Sequence, residues 1–213
     1  MTRIKICGIT GAAYARSALE AGADLIGVVF APSPRRVTAE EARDIVAAVG
    51  GRVPVVGVFV NAPAGEVNEA ASFCRLDRVQ LSGDEDWEYC QRIERPVIRA
   101  IRVPPEWDQA RLLTELEEGQ RLMGHRSILY LMDTLVTGRY GGTGQTVDWG
   151  VARGAAARFP LIIAGGLNPE NVGAVVSQLQ PWGVDVSSGV ETDGVKSVPK
   201  IRAFVQAVRS VSA

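Results

Sequence analysis

Histidine is nearly missing from this chain: His125 is the only one among 213 residues. A lone histidine leaves no multi-histidine metal centre, and its place before the sixth predicted strand, at the end away from the chemistry, argues against histidine catalysis. Cysteine is scarce too, and Cys7, Cys74 and Cys90 form no C-x-x-C pair. An odd, widely spaced set predicts neither a disulfide framework nor a zinc site, and it fits a reducing compartment. Aromatic residues make up 6% of the chain, and Trp87, Trp107, Trp149 and Trp182 read as helix packing, not as platforms for stacked bases. Positive charge has no excess, since the formal net charge is -1. A nucleic-acid surface is therefore not expected. No apolar run reaches the roughly 18 residues of a membrane helix, and the N-terminal MTRIKICGIT has no export-signal core. The expectation is a cytoplasmic protein with a small soluble partner. No G-x-G-x-x-G turn follows the first strand, so no dinucleotide cofactor is predicted, and the cysteine pattern predicts no metal.

What the chain does have is 46% hydrophobic residues, arranged in short apolar runs that alternate with helical patterns. Strands are predicted over Arg3–Ile9, Asp24–Phe30, Val53–Val60, Asp77–Leu81, Pro96–Val103, Ser127–Met132, Leu161–Ala164 and Val184–Val186. Helices are predicted over Ala12–Ala21, with Thr10 as a possible N-cap and Gly22 as the stop, and from Thr38 to Val49, where Thr38 and Glu41 make a capping box. Others are expected over Pro63–Phe73, Glu85–Ile93, Pro105–Leu122 and Trp149–Ala157, then from near Asn168 and from shortly after Gly194. Eight alternations without a linker predict one α/β domain over residues 1–213, a (βα)8 TIM barrel, with an open doubly wound sheet as the rival.

In a barrel, side chains alternate between lumen and helix layer, and chemistry sits at the C-terminal ends of the strands. Strand one then turns Ile4 and Ile6 outward and Arg3, Lys5 and Cys7 inward. Cys7 is uppermost, with Lys5 beneath it to favour a thiolate. A buried core cysteine is the plainer reading. Strand six places Asp133 above Leu129 and Leu131, as a general acid or base or as a loop cap. Asp185 and Ser187 share a face on strand eight. The turns in IIAGGLNPENV and VDVSSGVE follow strands seven and eight, where barrels hold phosphate on open backbone N–H groups. Gly165, Gly166, Ser187, Ser188 and Gly189 are the residues concerned. The cationic candidates are Arg35, Arg36, Arg99 and Arg102. His125 precedes strand six at the other end and is predicted to be a surface residue.

These strings carry a family resemblance: KICGIT at Lys5–Thr10, GVFVN at Gly57–Asn61, MDT and YGGTGQTVDW between Met132 and Trp149, AGGLNPENV and GVDVSSGVE. Together they resemble the phosphoribosylanthranilate isomerases, cofactor-free (βα)8 enzymes of tryptophan biosynthesis. The resemblance implies an Amadori rearrangement of a small phosphosugar by a monomer or homodimer. It makes Cys7 the general base and Asp133 the general acid. Arg35 becomes the ligand of the substrate carboxylate, with Arg36 in that place if the loop shifts by one. Gln80 and Asp185 would contact substrate, and the two Gly/Ser turns its phosphate. Two strings depart from the family: Gln80-Leu81-Ser82-Gly83 where Q-L-H-G is usual, and Gly194-Val195-Lys196-Ser197 where G-x-K-D is usual. Another phosphosugar barrel enzyme and a non-catalytic phosphosugar-binding protein are the alternatives.

Overall fold

The structure, a computed structural model, describes residues 1–104, 106–133 and 149–211. Eight strands form a closed parallel barrel: β1 (Arg3–Ile6), β2 (Leu25–Val29), β3 (Val55–Phe59), β4 (Arg78–Leu81), β5 (Val97–Arg102), β6 (Ile128–Asp133), β7 (Leu161–Ala164) and β8 (Gly183–Val186). Each pairs with its successor, and β8 returns to β1 with Ile4 opposite Val184 and Lys5 opposite Asp185. The open sheet is excluded. Around the barrel lie α1 (Ala12–Ala21), α2 (Ala39–Val49), α3 (Ala64–Phe73), α4 (Trp87–Gln91), α5 (Gln109–Met123), α6 (Trp149–Arg158), α7 (Val172–Leu179) and α8 (Val198–Val211).

The strands are apolar runs because a parallel barrel buries both faces. Their outward residues, among them Ile4, Ile6, Ile26, Val79 and Ile163, join one core with the helices. The inward set, Leu25, Val56, Ile98, Ala100, Leu129, Leu131, Ile162 and Ala164, fills the lumen. Trp182 packs against that lumen cluster, so it closes the barrel floor instead of packing a helix.

Two aspartates at the barrel floor repeat one device. The Asp24 carboxylate accepts from the Ile4 N–H at 2.8 Å while the Asp24 N–H donates to Ile4 O. Asp77 does the same for Val55 between β4 and β3. Each carboxylate satisfies a strand N–H that would otherwise be orphaned at the sheet end. Arg209 of α8 donates to Asp24, Thr2 O and Gly22 O, which ties the last helix to the first strands.

Helix starts differ locally from the sequence expectation. Thr38 and Glu41 do form the capping box of α2. The N-cap of α1 is Gly11, not Thr10. α4 and α5 begin later than predicted because Asp86 and Asp108 cap them, accepting from Tyr89 N and Arg111 N. α7 begins at Val172 because Asn168 spends its side chain on the N–H groups of Glu170 and Asn171 in a turn of its own. Between β8 and α8 the chain makes a 3-10 turn (Ser188–Val190) and a hairpin of β9 (Glu191–Thr192) and β10 (Val195–Lys196), none of it predicted. No helix among the described residues is long and apolar enough to cross a membrane.

Candidate active site

The predicted alternation puts Cys7 at the lumen mouth just beyond β1, with its N–H bonded to Val186 O at 2.8 Å. The thiol is buried. Space for it comes from Gly27 on the neighbouring strand: a Cβ there would lie 2.7 Å from Cys7 Sγ and 3.2 Å from Lys5 Nζ. Any larger residue at position 27 would evict one of these groups. Lys5, 1% exposed, donates to Asp185 Oδ1 at 3.0 Å.

Burial pulls the Lys5 ammonium toward its neutral form, but the Asp185 charge and hydrogen bond, with Cys7, outweigh it and leave the pKa raised. For Cys7 burial wins: it pushes the thiol up, Lys5 offsets only part, and Asp185 adds to the rise. Lys5 therefore does not bring the Cys7 thiol below its usual range, contrary to expectation, because burial outweighs it and its charge is shared with Asp185. Asp133 ends β6 at the mouth, opposite Arg102 and Ala164 in register. Burial raises its pKa, Asp185 raises it further, and Arg102 offsets part. Asp185 thus acts electrostatically on both Cys7 and Asp133 across the mouth.

Arg35 reaches the same place from the loop after β2. A Cβ on Gly8 would sit 2.5 Å from Arg35 Cδ and 3.0 Å from Ser187 Oγ, so the Arg35 stem lies across the residue next to Cys7. Its guanidinium donates through Nε and Nη2 to the two oxygens of Glu191, both at 2.6 Å. Glu191 also accepts from Lys196, whose Nζ donates in addition to Ser187 O at 2.9 Å. Donating to Glu191 holds the Arg35 pKa up. Burial pushes Glu191 up, but the two cations outweigh it and keep its carboxyl below the usual range. Arg36, the one-residue alternative, is exposed.

The two Gly/Ser turns lie against each other. Gly165 and Gly166 both have positive φ. A Cβ on Gly189 would fall 1.8 Å from Leu167 O, so only glycine lets the β8 turn pack on the β7 turn. Ser187 is half-buried beside Lys196, and Ser188 is exposed.

Gln80 is buried and lumen-facing, its Nε2 donating to Ser82 Oγ at 3.0 Å, while its Oε1 has no partner among the described residues. Ser82 thus does occupy the departure from the family string next to a substrate-binding candidate. Arg102 stands at the rim, donating to Asp84 and to Ser82 O. Arg99 does not belong with them. It lies on the helix side of β5, where it donates to Leu81 O, Gly83 O and Ala100 O and faces Glu85 at 3.8 Å. His125 is exposed, as predicted. The string YGGTGQTVDW lies outside the described residues except for its last tryptophan. Glu191 and Lys196 were not predicted site residues; their signals were the glutamate ending DVSSGVE and the lysine of the Gly194–Ser197 string. Among the described residues no cluster of three or more His, Cys, Asp or Glu could hold a metal ion.

Fold and mouth together define a (βα)8 barrel with titratable groups at the ends of β1 and β6 and paired glycine turns after β7 and β8, the layout of a phosphosugar barrel enzyme. The chain belongs to the N-(5'phosphoribosyl)anthranilate (PRA) isomerase family, whose model matches residues 4–207. It is 48% identical over 210 residues to the N-(5'-phosphoribosyl)anthranilate isomerase of Moorella thermoacetica, covering 98% of this chain and 90% of the relative. The crystal structure of the Thermotoga maritima phosphoribosyl anthranilate isomerase superposes with a TM-score of 0.84 at 37% identity, covering 99% of this chain and 100% of the other. A phosphoribosyl anthranilate isomerase solved in complex with reduced 1-(o-carboxyphenylamino)-1-deoxyribulose 5-phosphate matches with a TM-score of 0.80 at 35% identity, covering 99% and 100%. The resemblance carried by KICGIT and DVSSGVE is borne out.

Proposed function

We propose that this chain, acting as one catalytic domain, converts N-(5-phosphoribosyl)anthranilate to 1-(2-carboxyphenylamino)-1-deoxyribulose 5-phosphate, with Asp133 as general acid and Cys7 as general base. Asp133 protonates the furanose ring oxygen, the C1–O bond breaks, and the ring opens to a Schiff base. Cys7 as thiolate then removes the C2 proton. The enolamine so formed tautomerises to the ketone. Each positioned proton transfer contributes about 10² to 10⁴ in rate.

The observation that carries this reading is the placing of Cys7 and Asp133 at one lumen mouth with Asp185 acting on both. A carboxyl whose pKa is raised by burial is suited to hold the proton an acid must give. The Lys5 ammonium, kept charged by Asp185, stands ready for the thiolate when it forms. Arg35 takes the anthranilate carboxylate, and Gly165, Gly166, Ser187, Ser188 and Gly189 take the phosphate, with Gln80 and Asp185 on the sugar between. The anion-ready turns and the Arg35 cation reaching the mouth over Gly8, next to Cys7, support that assignment.

The test is an assay with freshly generated N-(5-phosphoribosyl)anthranilate, following loss of anthranilate fluorescence. Turnover well above the uncatalysed background is expected, and it should fall by about 10² or more in both Cys7→Ala and Asp133→Asn. Binding of the reduced product analogue without turnover in the parent enzyme would favour a phosphosugar-binding protein instead.

A further inference from the structure

Three charges meet where the loop after β2 touches the β9–β10 hairpin, and they do not cancel. Glu191 is a single anion held between two cations, Arg35 and Lys196. A purely structural ion pair is complete with one cation. This cluster keeps a surplus positive charge, and the surplus sits on Arg35, the more exposed of the two at 27% against 2% for Lys196. The geometry of the guanidinium says where that surplus is aimed. Of its five N–H groups, Glu191 takes one on Nε and one on Nη2. The Nη1–Nη2 edge makes no hydrogen bond among the described residues. That edge has the fork spacing that matches a second carboxylate.

We infer that Glu191 is a positioning residue: it grips Arg35 by the Nε–Nη2 edge and so presents the Nη1–Nη2 edge to the carboxylate of the substrate. Gly8 forms the floor under the Arg35 stem, Glu191 fixes the rotation of the head, and Lys196 holds Glu191. Lys196 also donates to Ser187 O, so the arginine of the carboxylate end is wired to the turn of the phosphate end. The two ends of one ligand are then held at a fixed separation beside Cys7. This inference rests on the reading of Arg35 as the carboxylate ligand.

The variant that isolates the grip is Glu191→Gln. Its amide oxygen, in the place of Oε1, still accepts from Lys196 and from Arg35 Nε, so the Ser187 turn keeps its support, while its NH2 group, in the place of Oε2, cannot accept from Arg35 Nη2 and breaks the two-point grip. Steady-state kinetics should show KM for N-(5-phosphoribosyl)anthranilate raised about tenfold with kcat within about twofold, the pattern of lost uniform binding. The inhibition constant of inorganic phosphate should stay at the parent value, and Glu191→Asp should recover part of the KM. A KM that rises together with the phosphate constant would mean general damage to the loop and overturn the inference. So would an unchanged or lower KM in Glu191→Gln when Arg35→Ala raises it, since Arg35 would then bind without the grip or in competition with it. If Arg35→Ala itself leaves KM unchanged, the carboxylate reading of Arg35 is what fails.

Discussion

Lys5 Nζ and Asp185 Oδ1 lie 3.0 Å apart in a buried pair one step below Cys7 on the lumen wall. Buried ion pairs exchange solvation for a partner, and removing either member leaves a charge uncompensated. Here the pair does something for its neighbours as well. Asp185 draws the Lys5 charge toward itself and adds its own negative field at both Cys7 and Asp133, so each of these acids holds its proton more tightly.

The pH profile follows from those two directions. The productive state carries a proton on Asp133 and none on Cys7, yet both pKa values are raised and the thiol remains the weaker acid. Most singly protonated enzyme therefore has its proton on the sulfur, and kcat/KM tracks the whole singly protonated population. It should rise through the Asp133 value, above the ordinary carboxylate range, and fall through the Cys7 value, above the ordinary thiol range. The limbs are thus inverted relative to the roles. In Asp133→Asn the residual activity should lose the acid limb and climb with pH as Cys7 ionises. An alkaline fall retained in that variant would show that Cys7 is not the base.

The phosphate turns can be separated by their tolerance of bulk. Gly189→Ala forces a methyl into Leu167 O, a backbone atom, and must part the two turns. Ser188→Ala removes only an exposed hydroxyl where backbone groups supply most donors. The inhibition constant of inorganic phosphate should rise about tenfold or more in the first and less than about threefold in the second. Equal effects would place the phosphate elsewhere.

Much of this was legible in the sequence because it is local. The Thr38 and Glu41 capping box spans three residues, and the lumen order Lys5, Cys7 and Leu129, Leu131, Asp133 follows from the two-residue period of a strand. Arg99 was misleading for the same reason. Its charge made it one of the cationic candidates, but only the register decides that it faces the helices and holds the turn after β4. The ion pairs that tune the site join residues far apart in the chain, Lys5 with Asp185 and Arg35 with Glu191. Residue spacing carries no signal for such pairs. They exist because barrel closure sets β8 beside β1, a consequence of the whole fold.

Barrel closure itself can be tested at Asp24. Asp24→Ala strands the Ile4 N–H and releases Arg3 and Arg209 together. An orphaned buried donor costs about 1–3 kcal/mol, and the lost charge-assisted bonds take the expected loss toward the upper end. Glu117→Ala, which removes an ion pair about half exposed on both sides, should cost less than about 0.5 kcal/mol. Urea unfolding of the two variants provides the comparison, and similar losses would mean that Asp24 does not secure the strand ends.

The last prediction concerns a thiol with no part in the chemistry. Cys90 is fully buried on the inner face of α4, and burial pushes its pKa up to about 11, with Arg99 offsetting part of the rise and Glu85 and Asp86 adding to it. In the unfolded chain a thiol titrates near about 8.5. Between those values the folded protein keeps a proton that the unfolded chain has lost, so stability falls as pH rises. The contribution is complete below about pH 8.5 and drains away toward about 11, at roughly 1.4 kcal/mol per pH unit for one proton. Cys90→Ala should lower stability by a constant packing term and make the alkaline decline shallower by that one-proton slope. Unfolding free energies of parent and variant at pH 7.5, 8.5 and 9.5, values of about the span just argued, are compared by their difference, which cancels the slopes of Cys7 and Cys74. Curves that run parallel would show that Cys90 titrates alike in both states, and the buried site around Arg99 and Glu85 would have to admit water.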